Sequence, residues 1–318
     1  RGSIMINSTQ ISYFTLAAYF DTGVFKYLLF TLILSLYVFI VCANLLLIVV
    51  ICMNRSLHEP MYILMCSLFV NGLYGSTWLF PFLMIQIFLD SHIVSASVCF
   101  LQIFCVHSYG AVEYLNLAFM SYDRYLAICD PLHYNTRMTY NKVAMFIFLT
   151  WFYPCFAMIV LLSLALPLQL CGNIIYKVYC DTYSVVKLAC SNTSLINIYG
   201  LIATFSTIVG CLLSIMYTYM RILQVCLSGS EQTRQKAVST CTPHLAALLN
   251  FSVGACFEII QSRYNMSGVP NMLRIFLSLY FLTCPPLFNP VMYGLKMSKI
   301  QVGPIHPKSI YYARVIIE

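Results

Sequence analysis

Glu113 stands out for its chemistry, because it is the one acidic residue within a long apolar stretch of the chain. A carboxylate deep in an apolar environment costs several kcal/mol unless it is paired or hydrated. We therefore predict a functional role for Glu113. One interpretation is a protonated carboxyl group that forms a hydrogen bond with Asn289 or with water, because desolvation disfavours the charged form.

A charged pair, Asp123 and Arg124, lies ten residues further along and is followed by Tyr125. The pair predicts an ionic latch whose arginine changes partners when the protein is activated. The triplet alone is weak evidence, but it lies within a ten-residue run, 120–129, that is much more specific. We find no metal-binding cluster and no nucleophile–base motif in the sequence, so we predict neither an enzyme nor a cofactor.

Other residues indicate a pocket for a small molecule. His107 lies eight residues after Cys99, about 12 Å deeper at 1.5 Å per helical residue, and Gly110 leaves room beside it. Arg263 follows the sixth apolar run, and its guanidinium group can bind a carboxylate or sulfate through two hydrogen bonds. The predicted ligand-binding residues are Val106, His107, Gly110, Ala203, Thr207, Ala255, Ile259 and Arg263.

Arg263 and His107 together favour a small organic anion, such as a carboxylic acid, as the ligand. Each residue has an alternative interpretation. His107 fits a core histidine bonded to a neighbouring helix. In the alternative interpretation of Arg263, its side chain reaches the lipid headgroups or pairs with Glu258.

Composition identifies the elements that must hold these residues. The 318-residue chain is 61% hydrophobic and 8% charged, with a mean hydropathy of +0.83, whereas a soluble domain carries about 25% charge. Lipid is therefore its solvent, and only helices or closed barrels satisfy their backbone hydrogen bonds there. A helix needs roughly 20 apolar residues to span the bilayer. Seven runs are long enough: Tyr27–Asn54, Met61–Leu89, Ile93–Tyr122, Val143–Tyr176, Leu188–Met220, Ala237–Phe257 and Ile275–Leu295.

These runs predict an all-α membrane protein with a seven-transmembrane helix bundle over residues 27–295, an extracellular segment 1–26 and a cytoplasmic tail 296–318. With the N-terminus outside, 11 basic residues face the cytoplasm and 6 face outward, in accord with the positive-inside tendency. The net charge of +7 is thus a topology signal, so membrane lipid and not nucleic acid is the predicted partner. Asn7, in Asn-Ser-Thr, is the best predicted glycosylation site.

Four of the 15 cysteines fall on the predicted outer side, namely Cys99, Cys171, Cys180 and Cys190. An even number in an oxidising compartment predicts two disulfides. Spacing alone leaves three pairings open.

The chain resembles the odorant receptors, a branch of the rhodopsin-like G-protein-coupled receptors, and looks most like those of fish that detect water-borne compounds. The similarity runs from about Asn7 to Gln301 and is carried by six segments: Leu57–Tyr62, Met120–Cys129, Lys187–Cys190, Thr218–Leu223, Lys236–Leu245 and Pro286–Leu295. It implies a multi-pass plasma-membrane receptor that binds an odorant and activates a heterotrimeric G protein, of the stimulatory, cAMP-raising type. A receptor for a non-olfactory metabolite and a transporter are the alternatives.

The resemblance also implies roles for individual residues. It pairs Cys99 with Cys180 and Cys171 with Cys190. It gives Glu113 a sodium site shared with an acid on the second helix, where this chain has Gly72. It places Val106 where amine receptors carry aspartate, which disfavours an amine ligand.

Helices six and seven are the predicted moving parts. Pro290 removes one backbone hydrogen bond and kinks the seventh helix, and we expect Asn289 to satisfy the freed group. Gly254 stands where most rhodopsin-like receptors have a proline. The residues predicted to couple to the G protein or to change on activation are Asp123, Arg124, Tyr125, Pro131, His133, Tyr219, Arg221, Lys236, His244, Asn289, Pro290 and Tyr293.

Overall fold

The computed structural model describes residues 11–19, 23–229, 231–263 and 269–300. Seven helices in this part of the chain are long and apolar enough to cross a membrane. Numbered first to seventh along the chain, they are Phe25–Met53, Pro60–Phe88, Ala96–Cys129, Tyr140–Ala165, Ser194–Ser228, Glu231–Arg263 and Asn271–Ile300. One-turn helices at Tyr134–Arg137 and Thr182–Val186 lie in the connections. The predicted seven-helix bundle is therefore confirmed, while Asn7 lies outside the described residues.

Three of the predicted runs extend three or more residues beyond the observed helices. The fourth helix ends at Ala165, not Tyr176, because Pro167 has no amide hydrogen to donate to the Ser163 carbonyl in a continued helix. The third helix begins at Ala96 instead of Ile93, after Ser95 accepts a hydrogen bond from the Val98 amide at 3.4 Å. The fifth begins at Ser194, not Leu188. Hydropathy misses these ends because the connecting segments are themselves apolar.

A three-stranded sheet covers the end of the bundle that carries the disulfides, called the disulfide end below. Strand β1, Tyr13–Leu16, lies between β2, Ile93–Ser95, and β3, Ile174–Ile175. It runs antiparallel to β2 and parallel to β3. Phe14 and Leu16 are buried beneath it, so the sheet packs the N-terminal segment onto the helices.

Close helix contacts depend on glycine at two positions in the core. A Cβ atom on Gly75 would lie 2.6 Å from the ring of Tyr109, so only glycine lets the second helix approach the third. A Cβ atom on Gly254 would lie 3.0 Å from the backbone of Phe281. Gly254 was predicted as a flexible point, and it also allows the sixth and seventh helices to pack closely.

Candidate functional site

Glu113 lies at the centre of the bundle, where the second, third and seventh helices meet. Its side chain is buried, and its two carboxyl oxygens accept hydrogen bonds from Asn71 at 2.8 Å and from Asn289 at 2.7 Å. Amide donors on both oxygens are the partners that a buried carboxyl group requires. Glu113 thus ties three helices together. The predicted sodium site at this residue stays a prediction.

The hydrogen bond that Pro290 removes is replaced by a residue that the sequence did not nominate. In a regular helix the amide of residue 290 would bond to the carbonyl of Pro286, and proline has no amide hydrogen. Asn44 of the first helix donates to that carbonyl at 2.9 Å and to the Ile40 carbonyl at 2.8 Å. The expectation that Asn289 satisfies the freed group is therefore wrong, since its amide group bonds to Glu113 instead.

Asp123 and Arg124 form the predicted ion pair at the end of the bundle opposite the disulfides. The Arg124 Nε atom lies 3.0 Å from the Asp123 carboxylate, and a terminal guanidinium nitrogen contacts the same oxygen. Tyr134, in the one-turn helix that follows, donates its hydroxyl hydrogen to the other Asp123 oxygen at 2.7 Å. Sequence analysis had given Tyr134 no role, although it lies only five residues after the 120–129 run.

His244 joins the sixth helix to two others at this same end. Its Nε2 atom lies 2.8 Å from the Leu117 carbonyl, which can only accept, so Nε2 carries the hydrogen. Its Nδ1 atom then accepts from the Tyr219 hydroxyl at 2.6 Å. Because His244 is fully buried, it cannot offer a surface contact to a G protein in this conformation. It holds the third, fifth and sixth helices together.

A cavity of about 480 Å³ lies toward the disulfide end, within the size range of pockets for small molecules. All eight predicted ligand-binding residues line it: Val106, His107, Gly110, Ala203, Thr207, Ala255, Ile259 and Arg263. The third, fifth and sixth helices form its walls as predicted, and the seventh contributes Phe281. The fourth helix forms a further wall through residues such as Tyr153 and Met158, which no sequence signal had indicated.

The far end of the cavity is apolar and aromatic. Tyr114, Phe251 and Phe281 line it, and the rings of Phe251 and Phe281 lie 5.2 Å apart. On another wall, Tyr153 bonds to the Thr207 hydroxyl at 3.0 Å, and that hydroxyl donates to the Ala203 carbonyl at 2.7 Å. The Thr207 hydroxyl is therefore already engaged by protein groups.

The two disulfides, Cys99–Cys180 and Cys171–Cys190, form as the resemblance implied. The first fixes the loop between the fourth and fifth helices, predicted to be the second outer loop, to the third helix. The Cys180 amide adds a 2.8 Å hydrogen bond to Gln102. Asp181, Thr182 and Tyr183 follow directly along the chain and line the cavity. The disulfide therefore positions the polar end of the cavity.

Lys177 lies at this polar end and was also missed by the sequence analysis. Its ammonium group contacts Glu258 at 2.6 Å, Ser262 at 3.0 Å and Asp181 at 3.4 Å. Burial alone would lower the pKa of Lys177, but the two carboxylates outweigh burial and raise it. A charged Lys177 therefore fastens the loop between the fourth and fifth helices to the sixth helix.

His107 and Arg263 occupy different parts of the cavity. His107 lies inside, with Nδ1 3.0 Å from the Ile103 carbonyl and Nε2 3.5 Å from the Thr182 hydroxyl. Arg263 is exposed, and its guanidinium group lies 4.7 Å from the centre of the Tyr183 ring. Among the described residues Arg263 forms no ion pair, and the partner of Glu258 is Lys177. Pairing of Arg263 with Glu258 is thus not observed.

Comparison with known proteins identifies the family. The family model described as "Olfactory receptor" matches residues 33–306. Human olfactory receptor 52D1 is 31% identical over 84% of this chain and 85% of its own length. Human olfactory receptor 52K1 is 32% identical over 83% of this chain and 85% of its own length. The structure of squid rhodopsin is 18% identical, and the match covers 91% of this chain and 80% of the rhodopsin chain. The TM-score of 0.68 shows that the two proteins share a fold.

These matches, together with the seven membrane-spanning helices, make the protein a multi-pass receptor of the plasma membrane and not an enzyme. They also support an odorant receptor over a transporter, as the sequence motifs had indicated. The chain belongs to the olfactory receptor family.

Proposed function

We propose that this receptor binds its odorant in the cavity between the third, fourth, fifth and sixth helices, with the disulfide end facing outward. The observation that carries the proposal is the shared location of the eight ligand-binding residues predicted from sequence, all of which line this cavity. Its aromatic depth suits the apolar body of a small molecule, and its polar end suits one polar group.

The route of the signal runs from the cavity to the opposite end of the bundle. A bound odorant shifts the population toward an arrangement in which the sixth helix swings outward. The swing must break the bonds of His244 to Tyr219 and to the Leu117 carbonyl, because both partners lie on other helices. The opened cleft then exposes Arg124 to the α subunit of a G protein, which we propose is of the stimulatory, cAMP-raising type.

Three further features belong to this proposal. Glu113, through Asn71 and Asn289, carries movements of the third helix to the second and seventh. The tail predicted at 296–318 is cytoplasmic in this orientation; its first five residues continue the seventh helix, and 301–318 lie outside the described residues. The apolar outer faces of the helices contact lipid. The anionic ligand predicted from His107 and Arg263 stays a prediction, and the charges at the polar end of the cavity weigh against it.

A cavity-filling substitution tests the binding site. A Cβ atom on Gly110 would lie 3.0 Å from the Phe281 ring, whereas one on Gly210, on the fifth helix, meets nothing within 4 Å. Gly110→Leu should therefore raise the EC50 of the best agonist at least tenfold, while Gly210→Leu leaves it near the wild-type value. The readout is agonist-dependent cAMP in transfected cells, normalised to receptor at the cell surface.

Two results would contradict the proposal. If Gly110→Leu reaches the surface and responds like the wild type, the ligand binds elsewhere. If the wild-type receptor activates only G proteins that do not raise cAMP, the proposed coupling type is wrong. Cells that carry single α subunits distinguish the second case.

A further inference from the structure

The polar end of the cavity carries more negative than positive charge. Asp181 from the second outer loop and Glu258 from the sixth helix both line it, and both contact the single ammonium group of Lys177. These three side chains, two carboxylates and one ammonium group, carry a net charge of −1, and the balancing charge of Arg263 lies at the exposed mouth. Asp181 is more than nine-tenths buried, so water screens little of this charge.

Some acceptor atoms at this end have no partner. The Asp181 Oδ1 atom and the Glu258 Oε2 atom are buried and form no hydrogen bond within the described part of the chain. A buried carboxylate oxygen without a donor is costly. Because both atoms are covered by protein, these carboxylates act on a ligand in the cavity through their charge, and they accept a hydrogen bond from it only after their side chains turn.

His107 adds another acceptor. The Ile103 carbonyl can only accept, so its 3.0 Å contact places the hydrogen of the neutral ring on Nδ1. The Nε2 atom then presents a lone pair, and its nearest donor, the Thr182 hydroxyl, is 3.5 Å away. This distance is longer than a good hydrogen bond, so a ligand donor can replace the Thr182 hydroxyl.

The two nearby cations do not offset these acceptors. The ammonium group of Lys177 has three hydrogens and lies against three oxygens, those of Glu258, Ser262 and Asp181. Arg263 lies over the Tyr183 ring at the exposed mouth, where water and salt screen its charge. Neither cation offers an unused donor in the interior of the cavity.

We infer, resting on the proposed function, that the ligand carries a hydrogen-bond donor at its polar end and that primary amines are the preferred class. Asp181 and Glu258 supply the counter-ion that Val106 does not, and His107 Nε2 accepts one ammonium hydrogen. A buried ammonium needs such a charged partner. A carboxylate in the same place would be desolvated against a net negative charge.

Matched ligands on the wild-type receptor test this inference without any variant. Primary alkylamines, alcohols and carboxylic acids with the same alkyl chains, in graded lengths, are compared by cAMP dose–response. We expect the lowest EC50 for the amine, a value about tenfold higher for the alcohol, and the weakest response to the carboxylate.

Two variants assign the effect to the named residues. Asp181→Asn and Glu258→Gln should each raise the EC50 of the amine about tenfold and change that of the alcohol much less. Asp90→Asn is the matched control, since Asp90 is an exposed acid near the disulfide end that does not line the cavity. Surface staining of each variant separates loss of ligand response from loss of folding.

The possible outcomes separate the inference from the proposed function. A carboxylate that is more potent than its matched amine overturns the inference, while a loss of that response in Gly110→Leu still supports the cavity. A surface-expressed receptor with no response to amines of any length also overturns the inference. Responses that Gly110→Leu leaves unchanged overturn the proposed function itself.

Discussion

The two ends of this receptor are held together by different interactions. At the end opposite the disulfides, His244 joins three helices through uncharged hydrogen bonds to Tyr219 and to the Leu117 carbonyl. At the disulfide end, Lys177 joins the loop between the fourth and fifth helices to the sixth helix through buried charges. Both ties hold the sixth helix, His244 in its first half and Glu258 near its last residue, Arg263.

The difference indicates how the two ends can respond to a ligand. Uncharged hydrogen bonds contribute about 0.5–1.5 kcal/mol each, so they can break and re-form when the sixth helix moves. Removing one member of a buried ion pair costs about 3–5 kcal/mol. We therefore expect the charged end to act as the fixed pivot and the His244 end to be the part that opens.

Lys177→Met should have the largest effect, because it leaves Asp181 and Glu258 buried without their shared cation. We expect a loss of about 3–5 kcal/mol of stability, seen as low surface expression and a lowered melting temperature of the solubilised receptor. Lys187→Met is the matched control, because Lys187 is exposed and, within the described ranges, its ammonium group contacts only the Tyr183 ring, at 5.9 Å.

The pH dependence of this tie follows from the raised pKa of Lys177. Because this pKa is raised in the folded receptor, the stabilisation by charged Lys177 is complete below the ordinary pKa of lysine. It is lost as the pH rises through the raised pKa of the folded receptor. Lys177 should therefore add no pH dependence to the stability of the receptor near neutral pH. If Lys177→Met is as stable as Lys187→Met, the charged end is not the pivot.

Tyr219→Phe should have an intermediate effect at the opposite end. It removes the hydroxyl that donates to His244 Nδ1 and leaves that buried acceptor unpaired, at a cost of about 1–3 kcal/mol. Because the closed arrangement loses this bond, we expect basal cAMP to rise while the amine EC50 falls. Tyr217→Phe is the control, since Tyr217 is exposed on the same helix.

An unchanged basal signal in Tyr219→Phe, with normal surface expression, would show that the His244 tie does not hold the receptor closed. A basal signal that rises equally in Tyr217→Phe would point to a general loosening of the fifth helix. Either result would remove the distinction between a pivot and an opening end.

The residues that the sequence singled out at the end opposite the disulfides are marked by local signals. Asp123 and Arg124 are neighbours in the chain, and Tyr219 and His244 lie in recognisable segments, so a single sequence reveals them. The seven helices follow from apolar length, and the disulfides followed from the family resemblance. Each of these features can be recognised from residues that lie close together in the chain or from the family resemblance.

The missed residues act across long distances in the chain. Lys177 belongs to an apolar loop and meets Glu258, 81 residues away, and Asn44 meets the Pro286 carbonyl across 242 residues. Neither contact has a periodicity or a spacing that marks it. The wall formed by the fourth helix is likewise invisible, because residues that face a cavity and residues that face lipid are equally apolar.

Arg263→Ala should have the smallest effect and separates the two ligand hypotheses. Its described contact is with the Tyr183 ring at an exposed position, and such a contact contributes about 0.5–1 kcal/mol. If the ligand is an amine held by Asp181 and Glu258, the EC50 should change less than about fivefold, which is the effect of 1 kcal/mol. If the ligand is an anion held by Arg263, loss of the guanidinium group should raise the EC50 of the acid far more. A large loss confined to acidic agonists would restore the anion hypothesis and make the mouth of the cavity, not its interior, the site of specificity.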